Sequence, residues 1–83
     1  MQETKRGRKP MSVKDVKSEI SGTVWKILLE PGATVEEEDE IMILESMKME
    51  IPVLSPTKGT LSEIILNEGD AVSDGQVVAR VTF

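Results

Sequence analysis

A lysine with a methionine on each side, Met47-Lys48-Met49, is where residue types and spacing in this sequence point to chemistry. Two thioether side chains gain little packing on an exposed turn, so their position beside an amine needs a reason. A lysine ammonium is protonated at neutral pH and is therefore a weak nucleophile. Acylation of Lys48 by a dedicated enzyme consequently fits better than nucleophilic catalysis by the lysine itself. The alternative is an ordinary solvated lysine without a function.

The composition excludes most other chemistry. The 83 residues include no cysteine and no histidine, which removes disulfides, thiolate metal ligands and the usual general base. We therefore expect no catalytic residue, no metal site and a chain that is not an enzyme. No apolar run approaches the roughly 18 residues of a membrane span, and the polar first ten residues do not resemble a signal peptide. A soluble, cytoplasmic module with no membrane partner is the expectation.

Charge divides the chain into a short basic tail and an acidic body. Residues 1–10 carry four basic side chains and Glu3, a net of +3, and residues 11–83 carry six basic and fourteen acidic side chains, a net of −8, which together give −5. We predict that 1–10 form a disordered linker or vector remnant and that 11–83 form the domain. The basic cluster leaves nucleic-acid binding open for the tail. The acidic body would repel phosphate, so nucleic acid is not an expected partner.

The body has the pattern of short strands separated by turns. Pro31-Gly32 suits the centre of a type II turn, and the segments 55–59 and 68–70 indicate turns of the same kind. Pro52 lacks a backbone N–H, which places either its strand at the edge of a sheet or Pro52 itself where no ladder donor is needed. The predicted strands are 13–17, 23–28, 41–45, 50–54, 60–66 and 77–82, with short extensions near Val35 and Val72.

An internal repeat organises these strands. Residues 21–45 moved forward by 37 positions fall on 58–82 without a gap, so that Gly22 meets Gly59 and the apolar positions around it are kept. Two copies of one unit, each unable to bury its apolar face alone, predict an all-β fold. The expected architecture is a flattened barrel or sandwich of two small antiparallel sheets with quasi-two-fold symmetry.

The repeat also predicts details of the core. We expect either a bulge or burial on both faces in the strands after Gly22 and Gly59, because these strands do not alternate cleanly. Trp25 lies in the first of these strands and is predicted to be a partly buried packing residue. Alternation places one set of apolar side chains of the last strand on a single face: Val77, Ala79, Val81 and Phe83, with Met42 and Leu44 at the matching positions of the first copy.

The segment 18–83 resembles a biotinyl domain, the carrier module of biotin-dependent carboxylases known as biotin carboxyl carrier protein. Its Glu45-Ser46-Met47-Lys48-Met49 is similar to the Glu-Ala-Met-Lys-Met signature of that family and stands between two quasi-repeats, as in the family. Related lipoyl domains usually have aspartate before the lysine. The family's fold, a barrel-sandwich hybrid, agrees with the fold that the repeat predicts.

The resemblance implies a carrier that holds biotin on the ε-amine of Lys48, attached by a biotin–protein ligase. Met47 and Met49 would belong to the cofactor-binding site as recognition and positioning residues for that ligase and for the carboxylase sites. Glu45, Ser46 and Glu50 would be recognised by the ligase. Biotin would carry CO2 from a biotin carboxylase to a carboxyltransferase in a carboxylase of the acyl-CoA type. Two alternatives stay open, namely a lipoyl carrier or dual biotin/lipoyl attachment protein, and an unmodified β-rich adaptor with an acidic binding face.

The sequence departs from the family at three places. Ser46 replaces the common alanine, which is a small change. Glu38 stands where the second copy has Gly75, so we expect a strained or differently shaped turn. No insertion lies between Leu28 and Ile41, which indicates the type without a protruding thumb. The acidic run 36–40 is either a docking surface or a solvated loop.

Overall fold

A computed structural model describes residues 12–83 of the chain, and this part consists of eight β-strands. The basic tail 1–10, with its predicted disorder, lies outside the described residues. In the described part there is no helix, and hence none long and apolar enough to span a membrane. The strands are β1 (Val13–Lys17), β2 (Gly22–Ile27), β3 (Thr34–Val35), β4 (Glu40–Ser46), β5 (Met49–Leu54), β6 (Gly59–Ile64), β7 (Ala71–Val72) and β8 (Val77–Thr82).

The strands form two four-stranded antiparallel sheets, which confirms the predicted fold class. One sheet has the order β5-β4-β2-β7 and carries Lys48, so it is called the lysine sheet; the second sheet has the order β1-β8-β6-β3. Strands β1 and β8 have the predicted bounds, and β6 ends two residues early. The Ile65 N–H still donates to the Val78 carbonyl at 3.0 Å, after which the chain enters the next turn.

The sequence repeat is a structural symmetry. The bounds of β6 and β7 are those of β2 and β3 plus 37 residues. If each strand of β1–β4 is replaced by the strand four places later, and each of β5–β8 by the strand four places earlier, the order of one sheet becomes the order of the other. The hydrogen bonds repeat as well. Gly32 N–H donates to the Leu61 carbonyl at 2.7 Å, and Gly69 N–H donates to that of Val24 at 2.8 Å. Each half thus contributes strands to both sheets, and neither half could close the core alone.

Bulges occur after both strand-starting glycines, which is the first of the two predicted alternatives. The register between β2 and β4 shifts at Trp25, and the register between β6 and β8 shifts at Ser62, 37 positions later. In each bulge two residues stand opposite one residue of the neighbouring strand. The bulge turns Trp25 outward and leaves it 48% exposed.

A second pair of bulges corrects the predicted core pattern. Ile41 interrupts the register of β4 against β5, and Val78 that of β8 against β1, so each is buried together with the residue that follows it. Strict alternation was therefore wrong here. Val77 is only partly buried, and Phe83 is 53% exposed because it follows the end of β8. The core contains Val16, Val24, Val35, Ile41, Met42, Leu44, Val53, Leu61, Val72, Val78, Ala79 and Val81.

Two of the three predicted type II turns are confirmed. Gly32 has φ +99° and Gly69 has φ +93°, and each turn is closed by a hydrogen bond of 3.1 Å between its first and last residues. The prediction for 55–59 was wrong, because Gly59 lies inside β6 without a positive φ. The buried Ser55 bends the chain instead, its Oγ donating to the Thr57 carbonyl at 2.7 Å. Pro52 lies in the edge strand β5, which is the first of the two alternatives predicted for it.

The Glu38 turn has the same shape as its glycine counterpart. Glu38 has φ +73° and Gly75 has φ +85°, and both turns carry a hydrogen bond from their last N–H to the first carbonyl, at 3.1 and 3.0 Å. Glu38 therefore occupies a left-handed position that favours glycine. The prediction of strain holds, and that of a different shape does not.

Replacing Glu38 by glycine should stabilise the fold. We expect Glu38→Gly to raise the free energy of unfolding by between about 0.5 and 1 kcal/mol, because relief of the left-handed strain exceeds the entropic cost of glycine. The neighbouring Glu37→Gly has no positive φ to relieve and should lower it. Urea denaturation of the two variants measures both values, and a destabilised Glu38→Gly would contradict the strain.

Candidate modification site on the β4–β5 hairpin

Lys48 stands in the two-residue turn that joins β4 to β5. Ser46 and Met49 form the last pair of the two strands, so that only Met47 and Lys48 remain to reverse the chain. Their φ values are +54° and +64°. Two successive left-handed residues in a two-residue hairpin loop define a type I′ turn, which favours Asn-Gly. Each L-side chain in this conformation costs about 1 kcal/mol or more.

The strained turn displays its side chains to solvent. Met47 is 92% exposed and Met49 is 62% exposed, and Lys48 is exposed between them. The ion pairs within residues 12–83 both belong to Arg80, and Lys48 takes part in neither. An enzyme can therefore reach the amine without breaking an ion pair within residues 12–83. Strained, exposed residues of this kind concentrate at functional sites.

A glycine of the neighbouring strand β2 supports the base of the hairpin. A Cβ atom at Gly22 would overlap the carbonyl oxygen of Glu45, and one at Gly59 would overlap that of Thr82 in the other half. Only glycine lets the two backbones approach this closely. Because Thr23 also pairs with Glu45, β4 is held between β2 and β5 up to the turn. The backbone below Lys48 is accordingly well braced.

Two carboxylates flank the turn on the same pair of strands. Glu45 and Glu50 are directly opposite each other in the register, and both are exposed. Like charges placed directly opposite on neighbouring strands repel each other. Ser46 lies between Glu45 and the turn and is partly buried. The structure thus brings together all six residues that the sequence singled out, while their roles stay predictions.

The acidic run 36–40 lies away from this site. It precedes and begins β4, whose seven residues at about 3.4 Å each put roughly 20 Å between the run and the turn. All five of its side chains are exposed. Within residues 12–83 no group of three or more Asp or Glu side chains is placed to hold a metal ion.

The sequence did not predict the exposure of Trp25 beside the candidate site. It was expected to pack, but it lies half exposed on the lysine sheet, in the bulge opposite Ile43. The signal that could have found it was its place in a strand without clean alternation, because a bulge can turn a large side chain to solvent.

Comparisons with known proteins agree with this geometry. The family model described as "Biotin-requiring enzyme" matches residues 8–81. The chain belongs to this family. The match includes the hairpin and all of the two repeat copies except the last residue of β8, so it covers nearly all of the described fold.

Relatives in the biotin-requiring family are short attachment proteins as well as large enzymes. The biotin/lipoyl attachment protein of Bacillus subtilis is 37% identical over 81% of this chain and 92% of its own length. The biotinylated protein TB7.3 homolog of Mycobacterium leprae is 35% identical over 82% of this chain and 96% of its own. The urea carboxylase structure from Kluyveromyces lactis superimposes with a TM-score of 0.82 at 31% identity, covering 98% of this chain but 7% of that enzyme.

Giving the turn its preferred residues should stabilise the domain while removing the amine. We expect the double change Met47→Asn with Lys48→Gly to raise the free energy of unfolding by about 1 kcal/mol or more, because both positions have positive φ. Met49→Gly, one residue later in β5, should lower it. Thermal or urea unfolding gives both values, and a destabilised double variant would contradict the type I′ turn.

Proposed function

We propose that this protein is a biotin carboxyl carrier, the non-catalytic carrier of a biotin-dependent carboxylase, with biotin attached to Lys48. The observation that carries the proposal is the exposed lysine in a strained type I′ turn. Attachment forms an amide between the lysine Nζ and the carboxyl carbon of biotin. The activating group leaves that carbon, and the amine loses a proton. A biotin–protein ligase supplies the activation, because the described neighbours of Lys48 offer no activating group.

Bound biotin supplies the carboxyl-carrying chemistry, and the chain supplies its display. The braced hairpin limits the directions in which the arm can point. The tether also makes the encounter with a second active site effectively intramolecular. The partners are a biotin carboxylase, which loads the CO2 unit, and a carboxyltransferase, which passes it on. No side chain of the carrier is needed as acid, base or metal ligand in these steps.

The side chains around Lys48 would serve recognition. Met47 and Met49 offer an adaptable apolar surface on either side of the amine. Glu45 and Glu50 offer paired negative charge, and Ser46 leaves room beside the backbone. We assign Met47 and Met49 to positioning of the lysine and its biotin, and Glu45, Ser46 and Glu50 to the ligase. The finer assignment to a carboxylase of the acyl-CoA type is supported by relatives with that name, such as the biotin-dependent acyl-coenzyme A carboxylase alpha3 subunit of Mycobacterium leprae, which is 35% identical over 80% of this chain.

A lipoyl carrier, or a chain that accepts either group, is the second candidate. The name of the Bacillus subtilis relative favours it, because that protein is described as attaching both. Lipoate would form the same amide with Lys48, so the geometry of the amine fits either acyl group. The methionine before Lys48, where lipoyl domains usually have aspartate, favours biotin.

Removing the amine tests the carrier directly. We expect the protein co-expressed with a biotin ligase to bind streptavidin, and Lys48→Arg to lose that binding completely, because arginine keeps the charge but cannot form the amide. Lys58→Arg, at another exposed lysine, should bind as the parent does. Intact masses after incubation with a biotin ligase and with a lipoate ligase identify the acyl group. Lipoate alone on Lys48, or streptavidin binding by Lys48→Arg, would reject the biotin carrier.

Neutralising the carboxylate pair tests its role in recognition. We expect Glu45→Gln with Glu50→Gln to lower the kcat/KM of biotinylation about tenfold, an effect that added salt should diminish by screening the charges. The matched variant Glu36→Gln with Glu37→Gln removes the same charge from the acidic run. It should leave biotinylation unchanged, because that run is far from the turn. If both variants lowered biotinylation equally, the net negative charge of the domain would matter and not the positions of Glu45 and Glu50.

A further inference from the structure

Because the two sheets are related by quasi-two-fold symmetry, the side chains on the outer face of one sheet can be compared with those at the equivalent positions of the other. On the second sheet a row of three charged residues crosses β6, β8 and β1. Arg80 Nη1 donates to Glu63 Oε1 at 2.8 Å, and Arg80 Nε donates to Asp15 Oδ1 at 3.0 Å. The hydrogen bonds with Glu63 and then Asp15 raise the pKa of Arg80 above its ordinary value. Arg80 thus pairs with both carboxylates of this row.

The equivalent row of the lysine sheet is apolar in the middle and at the edge. Residues 37 positions apart are equivalent in the two halves. Ile43 is therefore equivalent to Arg80 of the second sheet, and Pro52 is equivalent to Asp15. Lys26 keeps a charge at the position of Glu63, and beside it Trp25 takes the position of Ser62 in the bulge. The same backbone thus carries an internally paired row on one face. On the other it carries an apolar row of Trp25, Ile43 and Pro52.

The next outward-facing row, which lies closer to the turn of the lysine sheet, also differs between the two sheets. Glu45 and Glu50 face each other on the lysine sheet, where the second sheet pairs Thr82 with Val13. The fold therefore does not need two opposed carboxylates at this position. Within residues 12–83 the ion pairs belong to Arg80, and neither Glu45 nor Glu50 takes part in them. Two opposed carboxylates repel each other, and their position becomes favourable when a cationic surface covers them.

We infer that Trp25, Ile43 and Pro52, together with Glu45 and Glu50, form a docking surface for the enzyme that acylates Lys48. The contacting surface of that enzyme carries a cation opposite the carboxylates and apolar side chains opposite Trp25. Continuity with the turn selects this occupant. Before acylation the reacting amine extends only one lysine side chain from the backbone, so the enzyme must lie against the sheet beside it. The inference rests on the proposed function and adds the apolar row to it.

Trp25→Ser isolates the contribution of the row, because Ser62 already occupies the equivalent bulge and shows that the fold accepts serine there. We expect the KM for the carrier in biotinylation by a purified biotin–protein ligase to rise at least about tenfold, with kcat nearly unchanged. Val13→Ser removes an exposed apolar side chain, 57% exposed, from the outer face of the second sheet. Its KM should equal that of the parent, and circular dichroism confirms the folding of both variants.

Trp25 also gives a readout that does not depend on turnover. The chain contains one tryptophan, so 5-fluorotryptophan labelling gives a single ¹⁹F resonance. In the Lys48→Arg background we expect unlabelled ligase to shift or broaden that resonance, and excess wild-type carrier to reverse the change. An unchanged resonance, or an unchanged KM for Trp25→Ser, would overturn the docking surface while leaving the carrier function intact. Absence of any acylation of the wild-type chain would instead reject the carrier function itself.

Discussion

The register between β4 and β5 is the constraint on which the rest of the site depends. Burial of Met42, Leu44 and Val53 fixes that register, since a slip by one residue would turn the apolar side chains of β4 to solvent. Once Ser46 is paired with Met49, two residues must reverse the chain, and the turns that do so without splaying the strands, types I′ and II′, need positive φ at one or both of them. In this hairpin both residues have positive φ, so Lys48 is held in a conformation that its intrinsic preferences disfavour.

Much of this arrangement could be predicted from the sequence. The 37-residue repeat predicted the symmetry, Pro52 predicted an edge strand, and Pro31-Gly32 predicted a type II turn, because each pattern has a single strong physical reason. The I′ turn could not be read from Met47-Lys48, since neither residue favours positive φ. Hydrogen bonds formed only in the folded chain decide that conformation.

The failures of the sequence predictions share a cause. The prediction that alternate residues face the core assumes a strand without bulges. The bulges at Ile41 and Val78 each add one residue to the strand, so that two successive side chains are buried. The bulge at Trp25 likewise turns outward a side chain that was expected to pack. Near Ser55 a buried hydroxyl bends the chain where a glycine turn was expected. Register shifts between strands decide the exposure at three of these positions, and a side-chain hydrogen bond decides the bend at the fourth. Neither can be read from the alternation of apolar residues.

The symmetry has one further consequence at the strand ends of the second sheet. Ser12 and Phe83 exchange two backbone hydrogen bonds of 2.9 Å, and they occupy the positions that Met49 and Ser46 hold in the other half. In an engineered chain that consists of residues 12–83 alone, a Met-Lys dipeptide linking Phe83 to Ser12 would therefore have the span of the natural turn. Such a link would cyclise the backbone of residues 12–83 and give it a second attachment point, related to the first by the symmetry axis. The domain is thus suited to conversion into a bivalent ring.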